Sequence, residues 1–193
     1  MIKNRILLSI LGLSLLIACV FTFGGHEAIK ATSGDKFCLS CHAWMDPMGK
    51  AYSKDLHGGN NPKGLKAECA SCHLPHDNLV SYIGQKGING ITEGLHMIFN
   101  DPMSKNWIEN RSRKSKYVFD SGCIECHSSL LEIKTNNKIA AEMHTNYKEF
   151  KGTEKEMKCV TCHINVGHKD LGKILHDINN PPIGEWTKEE LTR

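Results

Sequence analysis

The chain has 193 residues, with 24 Lys and Arg against 21 Asp and Glu, and its formal net charge of only +3 leaves no electrostatic footprint for nucleic acid. Hydrophobic residues make up 40% and aromatics 7%, which is thin for a conventional core, and no alternating apolar run is long enough for a sheet. The expected fold is mainly α with extensive loops, behind a single amino-terminal membrane helix.

Residues 1–25 read as the anchor. Lys3 and Arg5 precede an uncharged run of 18 residues, Ile6 to Phe23, just long enough to cross a bilayer with its basic end inside. Two other readings stand beside it. A cleaved signal peptide lacks a convincing small-x-small site before Gly24. A lipoprotein signal is the other, because Leu16-Ile17-Ala18-Cys19 resembles a lipobox ending in a cysteine. Gly24-Gly25 reads as a short connector, and residues 26–193 as the domain outside the membrane.

Beyond the anchor, Cys-x-x-Cys-His, the attachment pattern of a c-type haem, appears four times. The copies are Cys38-Leu39-Ser40-Cys41-His42, Cys69-Ala70-Ser71-Cys72-His73, Cys123-Ile124-Glu125-Cys126-His127 and Cys159-Val160-Thr161-Cys162-His163. In each, the two thiols add across the haem vinyl groups and the adjacent His becomes the proximal iron ligand. A zinc ribbon is the rival, but zinc does not require His directly after the second Cys. With 11 His in 193 positions, His following all four pairs by chance has odds of roughly one in 100,000. Four covalently bound haems are therefore expected. Their attachment takes place on the outer side of the energy-coupling membrane, which assigns the domain to the periplasm.

Between the motifs, further features follow in chain order. The first motif runs on into Trp44, Met45 and Met48. A Met this close could bind the iron or simply pack against the porphyrin. After the second motif, Asn78–Phe99 has apolar residues at helical spacing, weakened by Gly84, Gly87, Gly90 and Gly94. Arg111, Arg113, Lys114 and Lys116 form a basic cluster, read as a solvated loop or as a contact for anionic lipid or an acidic partner. Lys138–Phe150 is a second helix candidate. Thr187-Lys188-Glu189-Glu190 reads as a capping box after the Pro181-Pro182 break, and the stretches around Pro62, Pro102 and Pro181 read as loops. The first cysteines of the motifs, at 38, 69, 123 and 159, leave gaps of 31, 54 and 36. Short, long, short points to two di-haem units, about 33–95 and 118–175, with porphyrin supplying much of the apolar interior.

Seven His stand outside the motifs: His26, His57, His76, His96, His144, His168 and His176. A second axial His makes a low-potential electron-transfer haem, and a haem face that excludes water must be closed by something. His57, His144 and His168 are the candidate distal ligands. His76 is a weaker one, His96 is a candidate for the neighbourhood of a haem or quinol, and His26 and His176 read as solvent or interface residues.

One amino-terminal helix followed by four motifs in this spacing resembles the NapC/NirT/NrfH family of membrane-anchored multihaem quinol dehydrogenases over nearly the whole chain. Cys72-His73-Leu74-Pro75 with Asn78 and Val80 is similar to the family's second motif and the segment after it. His57 and His144 match distal positions of the family, and His168, five residues after His163, also fits. The resemblance implies that menaquinol or another quinol from the inner-membrane pool is oxidised near the first haem. It implies delivery of the electrons to a periplasmic reductase of nitrite, nitrate, an N-oxide or S-oxide, fumarate or a sulfur oxyanion. In one branch a Lys and an acidic residue seven apart line the quinol pocket, and Lys86 and Glu93 have that spacing. Quinol oxidation releases protons with its electrons, which suits an acid beside a cation. The plain alternative is an exposed helical pair. The family's first haem commonly takes a Met two residues after the motif His; here Trp44 holds that position and Met45 follows it, so His42 and Met45 both stand as ligand candidates. A membrane-tethered shuttle reduced by another protein and a terminal reductase with an open haem are the other functional readings, and the oligomeric state stays open.

Overall fold

The computed structural model describes residues 2–40, 46–100, 105–132 and 135–180. Its first element, α1 (Ile2–Ala31), is 30 residues of unbroken helix. Its most apolar window has a mean hydropathy of 2.6 and no part of that window is buried inside the protein. The expected connector at Gly24-Gly25 is instead helical. Each glycine costs about 1 kcal/mol in a helix interior, but a helix already nucleated adds one hydrogen bond per residue and carries through. α1 ends where the Thr32 and Ser33 hydroxyls donate back to the carbonyls of Ala28 at 2.6 Å and Ile29 at 2.5 Å.

Nine further helices follow among the described residues: α2 (Asp35–Ser40), α3 (Asp46–Lys54), α4 (Cys69–His73), α5 (Leu79–Phe99), α6 (Trp107–Ser112), α7 (Asp120–Cys126), α8 (Lys138–Phe150), α9 (Cys159–Cys162) and α10 (Leu171–Asn179). There is no strand among these residues, only one isolated bridge between Gly58 and Lys66. The two helices expected from periodicity form, and both begin at an asparagine cap. The Asn78 side chain accepts from Ser81 N at 2.9 Å and Asn137 from Ala140 N at 3.2 Å, satisfying amides that the helix leaves orphaned. The basic cluster is not a loop. Asn106 caps α6 by accepting from Glu109 N at 3.0 Å, and Lys114–Lys116 form a short 3₁₀ turn behind it. The loop around Pro62 is as expected. The stretches at Pro102 and Pro181 and the capping box at Thr187 lie outside the described residues.

The protein's own core is small. Ala51, Leu171 and Leu175 are buried together where α3 meets α10, with Met48, Trp107 and Ile174 packed around them. A close approach between helices lies elsewhere, between α4 and α7. Phe119 N donates to Cys72 O at 3.0 Å, and His76 N donates to Ser121 Oγ at 2.9 Å. A Cβ on Gly122 would stand 1.9 Å from Ser71 O, so only glycine lets these two motif helices meet. Gly122→Ala is therefore expected to cost the folded protein about 3 kcal/mol, whereas Gly84→Ala on α5, with nothing within 4 Å of the new Cβ, is expected to be neutral or stabilising. Denaturant unfolding of the two variants side by side checks this.

Candidate functional site

Local helix geometry explains why the motifs can hold one group each. Cys69 and Cys72 are three apart on α4 and His73 is four beyond Cys69, so all three lie on one face. The third motif occupies the end of α7, with His127 at its carboxyl cap, and the fourth is α9, with His163 in the same position. Cys38 lies on α2. Cys41, His42 and Met45 fall among residues 41–45, outside the described residues.

The three candidate distal His each face a motif His. The ring centroids of His57 and His127 are 6.2 Å apart, those of His73 and His168 are 6.1 Å apart, and those of His144 and His163 are 6.4 Å apart. A metal–imidazole bond is about 2 Å and the bonding nitrogen lies about 1 Å from the ring centre. Two imidazoles on opposite sides of one iron therefore have centres about 6 Å apart. The observed spacing fits an axially ligated haem three times. Among the described residues, no group of three or more His, Cys, Asp and Glu converges to hold a bare metal ion.

The other ring nitrogen of several of these His is tied down, as metal ligands require. His57 Nδ1 is 3.0 Å from Asp55 Oδ1, and the same oxygen accepts from the His57 backbone N–H at 2.8 Å. Asp55 is only 8% exposed. His73 Nδ1 donates to the Tyr117 carbonyl at 2.8 Å, and His168 Nδ1 to that of Met48 at 3.3 Å. Each bond leaves Nε2 as the nitrogen free to face its partner His. Burial pushes both His73 and His168 below the ordinary imidazole range, favouring the neutral form that binds metal.

The motif thiols also approach one another. A hydrogen bond between Cys38 and Cys69 brings Cys38 down to about 7 and pushes Cys69 up; Cys123, at about 7, and Cys159 behave in the same way. Cys72 is pushed to about 11 by burial, reinforced by the neighbouring charges of Cys123 and Cys126. The first motif thus touches the second, the third touches the fourth, and the second lies near the third.

His76, the weaker ligand candidate, is engaged elsewhere. Its Nδ1 lies 2.6 Å from Glu125 Oε2 and its Nε2 lies 3.1 Å from the Ala70 carbonyl, so both ring nitrogens have protein partners. His26 and His176 are exposed, whereas His96 Nε2 is buried without a partner. Lys86 and Glu93 share one face of α5 but hold separate contacts. Lys86 Nζ donates to Thr32 O at 2.7 Å and to Ser33 Oγ at 2.9 Å, and desolvation keeps its ammonium below the ordinary lysine range. Glu93 is paired with Lys105, whose Nζ lies 5.4 Å from the Trp107 ring centre. Asp55 and Lys105 were not expected from sequence. Asp55, two residues before a candidate ligand in an Asx turn, was the detectable one.

A family model described as the NapC/NirT cytochrome c family, N-terminal region, matches residues 2–173. The chain is 29% identical over 174 residues to the tetraheme c-type cytochrome CymA of Shewanella oneidensis, covering 84% of this chain and 90% of that protein. It is 25% identical over 157 residues to the cytochrome c-type protein NapC of Escherichia coli K12, covering 78% and 76%. Against the cytochrome c-type protein TorY of Escherichia coli O157:H7 it is 30% identical over 170 residues, covering 81% of this chain but only 44% of TorY. No solved structure matches.

A carboxylate on the far nitrogen makes an imidazole a stronger donor and so favours ferric iron. If His57 and His127 share the iron of one haem, Asp55→Asn is expected to raise the midpoint potential of that haem by up to about 60 mV, one decade in the ferric-to-ferrous ratio, and to leave the others in place. Spectroelectrochemical titration with low-temperature electron paramagnetic resonance checks the shift.

Proposed function

The chain belongs to the NapC/NirT cytochrome c family, and on that premise we propose that it is a membrane-anchored tetrahaem quinol dehydrogenase. It takes electrons from menaquinol or another quinol at the outer face of the inner membrane and delivers them to a periplasmic terminal reductase. The observation that carries this reading is the set of three His–His pairs at iron-spanning distance, on a chain whose first helix is long and apolar enough to cross a bilayer. Haem c, when bound, supplies a one-electron iron couple whose potential is low where both axial ligands are imidazole.

In this reading the eight motif cysteines hold four haems as thioethers, and His42, His73, His127 and His163 are the proximal ligands, with Met45 the other candidate at the first. His168, His57 and His144 are the distal ligands of the second, third and fourth. The haems form two pairs, about 33–95 and 118–175, supported by the Cys38–Cys69 and Cys123–Cys159 contacts. Electrons enter at the first motif, because α2 begins four residues after α1 ends. Oxidation of one quinol yields one quinone, two electrons and two protons. Lys86 orients the quinol oxygen by donating to it, and Glu93 accepts a proton on exchanging its Lys105 partner. The terminal acceptor belongs to the class of nitrite, nitrate, N-oxide, S-oxide, fumarate or sulfur oxyanions. The helix is uncleaved, with the haem domain in the periplasm; anchorage through a lipid on Cys19 is the alternative.

One observation favours the second reading, a tethered shuttle with no quinol site of its own: Lys86 and Glu93 are both already satisfied by protein groups. Stopped-flow reduction in proteoliposomes by a menaquinol analogue separates the two. Glu93→Gln and Lys86→Ala are expected to lower kcat/KM by about 100-fold while chemical reduction by dithionite is unchanged. Unaltered quinol kinetics in both variants rule out Lys86 and Glu93 as the quinol site, and no reduction of the parent protein by quinol overturns the dehydrogenase reading in favour of the shuttle.

A further inference from the structure

Helix α5 has an apolar face that no described residue covers. Val80, Ile88, Ile91, Leu95, Ile98 and Phe99 are between 50 and 82% exposed. At 3.6 residues per turn these six fall within an arc of about 100°. The helix has only two side chains of fixed charge, Lys86 and Glu93. Both project roughly opposite that arc, toward Thr32, Ser33 and Lys105. The stripe runs for about 28 Å along the axis, longer than one porphyrin can cover.

The position of α5 names the occupant. Lys86 binds Thr32 O and Ser33 Oγ, and the Tyr82 hydroxyl lies 2.9 Å from Ser33 Oγ, so three contacts fasten α5 to the residues that end α1. The apolar run of α1 gives way at His26, and the seven residues from there to Ser33 rise about 10 Å. The headgroup layer of one leaflet is about 5–7 Å thick, and a helix with its side chains is about 10–12 Å across. A helix fastened at that height reaches the acyl boundary with its outer face.

We propose that α5 lies in the plane of the outer membrane interface, with its Val80–Phe99 face seated in phospholipid. The bilayer is then a second contact of this protein besides α1, of the kind made by amphipathic interfacial helices. The inference rests on α1 crossing the membrane. It also deepens the proposed function, and in this respect rests on it, because it fixes the height of the Lys86 and Glu93 face above the acyl boundary from which a quinol approaches. Seating the helix limits rotation of the haem domain about α1.

The test uses the full-length haem-loaded protein in nanodiscs of phosphatidylcholine, doped with an analogue that carries a photoreactive diazirine on its acyl chain. After irradiation, adducts are mapped by peptide mass spectrometry. Adducts are expected in α1 and, in α5, at Ile88, Ile91, Leu95 or Ile98. The double variant Ile91→Asp, Ile98→Asp is expected to lose at least tenfold of the α5 labelling while keeping α1 labelling and the four-haem absorption spectrum. Adducts in α1 alone overturn the proposal and mean that porphyrin or a second copy covers the face. Adducts in neither helix overturn the anchor premise with it. Quinol kinetics play no part in this readout, so failure of the quinol reading is seen separately.

Discussion

Paired imidazoles with ring centres about 6 Å apart, three of the six with the far nitrogen fixed by a protein acceptor, are the arrangement on which the rest of this structure depends. Two of the three pairs cross the chain. His57, which precedes the second motif, faces the His of the third, and His168, near the described carboxyl end, faces the His of the second. Each half of the domain therefore supplies one imidazole opposite a motif of the other half. If these pairs share an iron, as proposed, the halves are clamped by metal–ligand bonds as well as by packing. The close seating of α4 on α7, permitted by Gly122, brings the second and third motifs together at the centre of that exchange.

Such a clamp explains a sparse interior. The buried apolar set among the described residues is Ala51, Ala70, Leu74, Val160, Leu171 and Leu175, mostly small or confined to the α3–α10 contact. A chain of this length with so little protein core depends on other bonds. In the proposed haem-loaded protein, covalent attachment and axial ligation would supply them, so that metal binding free energy becomes folding free energy. The motif helices are only four to seven residues long, below the length at which a helix is stable alone, so their order comes from what they grip.

The parts legible from sequence are those with local causes. α5 was expected because its apolar periodicity lies within one stretch of chain, and the asparagine caps that start α5 and α8 are local causes of the same kind. That spare His would close haem faces was legible from the motifs, while the choice of His57, His144 and His168 among the seven leaned on the family resemblance; each lies opposite a motif His. Which motif each would face was not legible, because long-range packing decides it; spacing alone gives His57 no reason to choose His127 over His73. The extension of α1 through Gly24-Gly25 was missed because glycine was weighed as a single residue rather than inside a cooperative helix. Lys105 was missed because its pairing with Glu93 depends on how α5 and α6 are placed, which no local signal encodes.

Direct observation of the iron ligands bears most closely on this account. Near-infrared magnetic circular dichroism of the fully oxidised protein resolves ligand-to-metal bands that distinguish bis-imidazole haems from His–Met and high-spin ones. Three haems are expected to show bis-imidazole bands, one for each His pair, and the fourth a spectrum set by residues 41–45. Fewer than three bis-imidazole haems would contradict the pairing and with it the crossed clamp.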